Sequence, residues 1–256
     1  MTPSCTHLVI IPSYNTGAAL LRRTALAAAA AWSPVWVVID GSTDGSGAAL
    51  DDVPNVRVLR RACNGGKGAA IRLALDDAAA QGFTHALTMD ADGQHPADHI
   101  GRFMAASIAA PSALVLGVPQ FGADAPVLRV KGRRISNWWA NLETLWMGID
   151  DSLFGFRVYP VGPLRTALAA STGMRGFDFD PEAAVRLVWM GVVPFNLPAP
   201  VRYPAAIEGG VSHFQYGRDN VLLTWMHVRL MVGMLLRLPM LVLRRAAAPP
   251  RAAPPP

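Results

Sequence analysis

The chain has 256 residues, 52% of them hydrophobic and 16% charged, with a net charge of +5. That is ample for a large core in one domain, or one domain with an appendage, and the two cysteines, Cys5 and Cys63, exclude a disulfide framework and fit a reducing compartment. The charge excess is local: residues 1–200 carry 16 basic and 16 acidic side chains, whereas 201–256 carry seven basic and two acidic. A basic tail attracts nucleic acid or an anionic membrane surface. The strongly apolar company of this tail points to membrane, and no nucleic-acid partner is expected.

No basic segment followed by a long apolar one opens the chain, so no signal peptide is expected. "HLVIIPSYN" (7–15) is an apolar, strand-like run, and "ALLRRTALAAAAA" (19–31) is helical. "VWVVID" (35–40) and "VRVL" (56–59) are the next strands, and a helix over 68–81 ends at Gly82. "THALTMD" (84–90) is a strand, 96–108 a helix and "ALVLGV" (113–118) a strand. Short buried strands alternating with helices predict an α/β fold with a mostly parallel sheet covered on both faces. Ligands in such folds sit at the carboxyl ends of the strands. The informative polar residues lie there: Tyr14 and Asn15, Asp40, then Asp90 and Asp92.

The second half is looser. A long amphipathic helix is predicted over 127–148, a strand over 153–160 and a helix over 180–191 with an acidic first turn. Residues 192–204 are extended and proline-punctuated, and a hydrophobic helix covers 219–245. The closing "AAAPPRAAPPP" (246–256) is low-complexity and expected to be disordered.

Asp90 and Asp92 stand two apart where a strand enters a turn, so both carboxylates can reach one divalent cation. Oxygen ligands of this kind suit Mg²⁺ or Mn²⁺, which can bridge nucleotide phosphates and offset leaving-group charge. The structural alternative is a solvated turn built on Asp92-Gly93. Asp40 either accepts a hydrogen bond from a base or ribose or starts a turn, with Ser42, Thr43 or Asp44 capping a helix after it. "NGGKGAA" (64–70) puts two glycines and Lys67 before a helix, a place where backbone N–H groups can hold an anion. The spacing is not that of a Walker loop.

Taken in order, "IPSYN", "IDGSTDGS", "NGGKGAAI", "DADGQH", "DSLFGFRVY" and "GVSHF" resemble the family 2 glycosyltransferases over roughly residues 7–217. The likeness is greatest to enzymes that load mannose or glucose onto polyprenyl phosphate. The resemblance implies a glycosyltransferase A-type fold, a nucleotide-diphosphate sugar donor, Mg²⁺ or Mn²⁺, and inversion at the anomeric carbon. It places Pro12, Tyr14, Asn15, Asp40, Lys67, Asp90 and Ala91 around the donor, and Asp90, Asp92 and Gln94 at the metal and diphosphate. Three positions depart from the family pattern. Thr16 follows "YN" where an acid is usual, Ile39 precedes Asp40 where a second aspartate is usual, and "IEGGVSHF" brings Glu208 and His213 where arginine and lysine are usual.

Arg133 or Arg134 in "VKGRRISNWW", Arg157 in "GFRVY", and Ser212 and His213 are the candidates for binding an acceptor. A hydroxyl acceptor needs a carboxylate base, whereas an acceptor phosphate is already ionised. Asp92, Asp151 and Asp178 are the candidates for catalysis, because Asp180 before Pro181 reads as a helix cap. His95, His213 and His227 lack metal-ligand spacing and read as ordinary hydrogen-bonded histidines. Trp138 and Trp139 are adjacent, so at most one can face the core.

The helix within 218–245 is interrupted by His227, Arg229, Arg237 and Pro239, which makes it a poor span. At about 100° per residue, Arg218, Arg229, Arg237 and Arg244 fall within an arc of about 100°, which predicts a basic stripe lying in a bilayer interface. The expected organisation is a catalytic domain (1–217), a membrane-surface helix (218–245) and a tail (246–256). The expected activity is hexose transfer to a membrane lipid or lipid-phosphate acceptor, as a peripheral enzyme of the cell envelope on the cytoplasmic face. The alternatives are a nucleotidyltransferase and a degenerate transferase retained as a membrane-bound scaffold.

Overall fold

The computed structural model describes residues 6–121, 127–201 and 216–247. Seven strands form one sheet in the order β3-β2-β1-β4-β6-β5-β7. β1 (His7–Ser13), β2 (Val35–Asp40), β3 (Val56–Arg61) and β4 (His85–Thr88) run parallel. β5 (Ala113–Gln120) and β7 (Val193–Pro200) pair parallel to each other, and β6 (Arg157–Pro160) lies antiparallel between β4 and β5. The central strands read as near-continuous apolar runs because both faces are covered. Leu8 and Ile10 join the core on one face with Trp36 and Val38, while Val9 and Ile11 join Val35 and Val37 on the other.

The crossovers are α1 (Ala18–Ala31), α2 (Lys67–Ala80) and α3 (Ile100–Ala109). α2 stops as the sequence predicts. Gly82 takes φ +85°, with its N–H donating to Ala79 O and that of Phe83 to Ala78 O at 2.9 Å. α4 spans Val127–Glu143, shorter than the predicted 127–148, because Leu145 and Trp146 take left-handed φ. The strand predicted over 153–160 narrows to β6, since residues 151–156 form a loop instead. α5 (Val161–Ala169) and α6 (Phe179–Trp189) come next, and α7 runs from Tyr216 to Ala247.

α7 overturns the expected orientation of its arginines. Met226, Leu230, Met234 and Leu241 are buried in the core shared with α4 and α6. Arg229, Arg237 and Arg244 face the same way, and the side chain of Arg218 lies outside the described residues. Arg229 donates to Glu182 at 3.0 Å, Arg237 lies 4.9 Å over the Trp189 ring and Arg244 donates to Trp189 O. The outward face is apolar: Val221, Trp225, Val228, Val232, Leu235, Leu236 and Leu243 are exposed. The partners on α6 account for this, because the Glu182 carboxylate and the Trp189 ring and carbonyl each take an arginine of this face. By length and composition alone, Asp219–Ala247 could also cross a membrane, although it was expected to be a poor span.

Candidate active site

The ends of β3, β2, β1 and β4 form one edge, and the loops after β1 and β2 are tied together there. Asn15, in left-handed backbone, donates its N–H to Ser42 Oγ and accepts the Thr43 N–H on Oδ1 at 2.8 Å. Asp44 accepts the N–H groups of Gly17 and Ser46. Thr16, where an acid would be usual, shares a 2.9 Å hydrogen bond with Ser13. Pro12 is half-buried beside these loops, and Tyr14 is exposed at their rim.

Asp40 is buried, and its carboxylate holds the "NGGK" loop. It pairs with Arg61 and accepts the N–H groups of Gly65 and Gly66, the latter at 2.8 Å. Gly41 is required because it takes φ +66°, and a Cβ would strike the backbone of Cys63 and Asn64. The expected open anion cradle at the start of α2 is closed. Gly65 and Gly66 serve Asp40, and Gly68 donates to Arg175 O at 3.2 Å. Residues 174–175 lie so close that a side chain at Gly66 or Gly68 would collide with their carbonyls.

Lys67 therefore turns inward. Its Nζ lies 2.7 Å from Asp90 Oδ1 and 2.6 Å from Asp180 Oδ2. Burial disfavours its charge, but Asp180 and Asp90 more than compensate and raise its pKa. Burial is likewise the largest influence on Asp90 and works against its charge, but Lys67, His95 and Arg157 together outweigh it, so the Asp90 carboxyl sits below its usual range. Asp92 goes the other way. Burial first, then the charge of Asp90, pushes its pKa up. His95 is buried and accepts the Asp90 N–H on Nδ1 at 2.8 Å, while Asp92 accepts the Gln94 N–H at 3.0 Å. Burial lowers the His95 pKa despite both aspartates, so it is neutral, as an acceptor Nδ1 requires. Half-buried Gln94 thus helps shape the turn through its backbone. Ala91 is buried beneath the turn, and its carbonyl accepts from Thr24 Oγ1.

Gly155 closes one wall. A Cβ there would meet Lys67 Nζ at 2.5 Å and Asp90 Oδ2 at 2.9 Å. Thr88 Oγ1 donates to its carbonyl at 2.8 Å, and the ring of Phe154 meets that of His95. Sequence reading missed Gly155, and it took Asp180 for a cap. Asp178 occupies the cap position instead, and Asp180 lies inside the first turn of α6. No local signal marks Asp180, since Lys67 stands 113 residues away.

Several candidates are tied up elsewhere. Asp178 accepts the N–H groups of Met174 and Gly176, which folds its own loop. Asp151 pairs with Arg133 at 2.5 Å and accepts the N–H groups of Leu153 and Phe154. Arg157 is fully buried, so it does not face an acceptor. It ties Phe154 O, Asp151 O and Asp180 O together, joining the Gly155 loop to α6. Arg134 is exposed on α4. Ser212, His213 and Glu208 lie outside the described residues.

This architecture is a mostly parallel α/β sheet with a cluster of charged side chains at the carboxyl ends of its strands, and sequence comparison gives its family. Residues 8–166, more than half of the chain, match the family described as "Glycosyl transferase family 2". The chain belongs to that family. It is 29% identical over 216 residues to the polyprenol monophosphomannose synthase of Mycolicibacterium smegmatis, covering 77% of each chain. It is also 29% identical over 192 residues to the undecaprenyl-phosphate mannosyltransferase of Micrococcus luteus, covering 72% of this chain and 78% of that one. Among solved structures, glucosyl-3-phosphoglycerate synthase of Mycobacterium tuberculosis, in complex with Mn²⁺, UDP and glucosyl-3-phosphoglycerate, superposes with a TM-score of 0.60 at 14% identity, over 89% of this chain and 79% of that one. Mannosyl-3-phosphoglycerate synthase of Rubrobacter xylanophilus gives 0.58 at 16% identity, over 90% and 74%. The fold is glycosyltransferase A-type.

The residues present fit a hard divalent cation. Among the described residues no three His, Cys, Asp or Glu side chains form a closed metal cage. Two carboxylates, with the remaining positions left to water and substrate phosphate, are the usual set for Mg²⁺. Burial first, and then the charge of Asp90 close by, raise the Asp92 pKa, so a cation shared by the two carboxylates would be favoured there.

Proposed function

We propose that the chain is an inverting hexosyltransferase that moves a sugar from a nucleotide-diphosphate donor to a membrane lipid acceptor such as polyprenyl phosphate. The observation that carries the reading is the cluster of Asp90, Asp92, Lys67 and Asp180 at the carboxyl edge of the sheet, in a chain whose relatives are named for polyprenyl-phosphate mannose transfer. The donor lies over the tips of β1, β2 and β4, with Pro12, Tyr14 and Asn15 on its base side. Asp40 acts there by holding the loop that carries Lys67. Asp90 and Asp92, with Gln94 beside them, would hold Mg²⁺ or Mn²⁺, and such an ion would supply positive charge to offset that of a departing diphosphate. An acceptor phosphate oxygen attacks the anomeric carbon from the face opposite the diphosphate. One C–O bond forms as the other breaks, and the nucleoside diphosphate leaves. An ionised phosphate needs no base, which fits Asp151 and Asp178 being engaged in loop folding. Arg134, Ser212 and His213 stay candidates for the acceptor.

The protein works peripherally on the cytoplasmic face of the membrane. The apolar outer face of α7, with exposed Ile135 and Trp138 of α4, supports this reading, since large exposed apolar patches mark interaction surfaces. The catalytic part is residues 1–217, with α7 seated upon it. The test is sugar transfer to undecaprenyl phosphate in vesicles from GDP-mannose, UDP-glucose and related donors, with Mg²⁺ or Mn²⁺ and with chelator. Metal-dependent formation of a lipid-linked hexose is the expected result. Failure with every donor would return the scaffold alternative.

A further inference from the structure

Behind the Gly155 wall a buried chain of polar side chains runs from α7 to the loop of residues 150–156. His227 Nδ1 lies 2.8 Å from Glu143 Oε1, and His227 Nε2 lies 3.2 Å from Ser136 Oγ. Ser136 Oγ lies 3.2 Å from Ser152 Oγ, which donates to Asn137 Oδ1 at 2.8 Å. Asn137 Nδ2 in turn donates to Asp151 Oδ2 at 3.2 Å, and Asp151 holds the N–H groups of Leu153 and Phe154. His227, Ser136, Ser152 and Glu143 are all buried.

The direction of this chain is fixed by chemistry. The Ser152 backbone N–H donates to Asn137 Oδ1, so that atom is an acceptor and the amide is oriented. Ser152 then gives its only hydroxyl proton to Asn137. The contact between the serines must use the Ser136 proton, and the contact to His227 must use a proton on Nε2. The Glu143–His227 pair holds one further proton between them. A neutral carboxyl–imidazole pair or a carboxylate–imidazolium pair both meet that count, and a carboxylate with neutral imidazole does not. Glu143 Oε2 has no hydrogen-bond partner, and burial raises its carboxyl pKa, which fits a retained proton.

The geometry resembles a Glu-His-Ser nucleophile triad, but Ser136 is buried and its proton faces Ser152. The relay is therefore a strut. It starts on the helix that bears the apolar outer face and ends on the loop that presents Gly155 to Lys67 and Asp90. We propose that His227 is a positioning residue of the transferase: through Ser136, Ser152, Asn137 and Asp151 it fixes the 150–156 loop, so that the site is complete only when α7 is seated. This rests on the transferase reading of the site.

The test uses the full chain and separates the two contacts of His227. Asn places its amide nitrogen near the Nδ1 position, so His227→Asn keeps Glu143 and loses Ser136. Gln reaches the Nε2 position, so His227→Gln keeps Ser136. Ser136→Ala cuts the relay with no charge left unpaired. Hydrogen exchange of residues 150–156 should quicken in Ser136→Ala and His227→Asn, and stay near wild type in His227→Gln. In the same variants kcat for transfer to undecaprenyl phosphate should fall on the order of tenfold, as small misplacements of reacting groups do, with donor affinity by calorimetry unchanged. Unchanged exchange and kcat in both relay-cut variants would overturn the proposal, as would a loss in His227→Gln equal to that in His227→Asn. An inactive wild type would instead count against the transferase reading. The exchange measurement still decides the strut in that case.

Discussion

Lys67 of α2 donates to Asp180 of α6 at 2.6 Å, closing a separation of 113 residues. The contact ties the loop held by Asp40 to the helix held by Arg157. Asp90 shares the same ammonium at 2.7 Å. Removing that ammonium leaves two carboxylates facing each other. Lys67→Met should therefore abolish transfer and destabilise the fold by on the order of 3 kcal/mol, the scale for breaking a buried ion pair. Asp180→Asn keeps a partner for Lys67 and should cost activity with a smaller loss of stability. Steady-state kinetics and chemical denaturation of both variants check this; a fully active Lys67→Met would remove the cluster from the mechanism.

Asp92 should trade stability against function. Its folded pKa is raised, so its contribution to stability is present below the unfolded value of about 3.9 and is lost as pH rises through the folded value. At neutral pH, without metal, Asp92→Asn should be more stable than wild type, and the two should converge near pH 3. Mn²⁺ should raise the melting temperature of wild type and not of the variant. Transfer by Asp92→Asn should fall on the order of 100-fold, at least the scale seen when supporting partners of a metal are lost. Differential scanning calorimetry across pH, with and without Mn²⁺, gives the sign directly.

An acid-sensitive histidine pair lies at the opposite ends of β1 and β4. His7 and His85 stack with centroids 4.4 Å apart, and burial, then His85, lowers the His7 pKa to about 4. A depressed histidine stabilises fully above its unfolded value near 6.5, and that contribution is lost as pH falls towards 4. Stability should decline between pH 6.5 and 4, and His7→Gln should flatten the slope. Urea midpoints at pH 7 and pH 5 suffice, and an unchanged slope in the variant would assign the decline to other groups.

Membrane binding should depend on the apolar residues of α7 and not on its arginines. Trp225→Asp with Val228→Asp should reduce flotation with vesicles, and added salt should change flotation little. Arg229→Ala should instead lower thermal stability, because it removes one of the partners of Glu182. Salt-sensitive flotation lost on removing Arg229, Arg237 and Arg244 would restore the basic-stripe reading.

How far the sequence reaches depends on how local each cause is. Strand tips are readable because burial on both faces demands continuous apolar runs, and a polar residue marks where such a run ends. Asp40, Asp90 and Asp92 stand out that way, although the fold turns Asp40 to the backbone of Gly65 and Gly66. The αL stop at Gly82 was equally local, since only glycine takes that φ without cost. The roles of Asp180, Arg157 and Gly155 were not readable, because each is set by a partner on a distant element. The Asp-Pro pair favours a cap on local grounds, yet Asp178 took that place and Asp180 found Lys67. The same holds for α7. Its period shows an apolar arc and a basic arc, but which one turns inward depends on Glu182 and Trp189, and only the folded chain brings those to meet Arg229, Arg237 and Arg244.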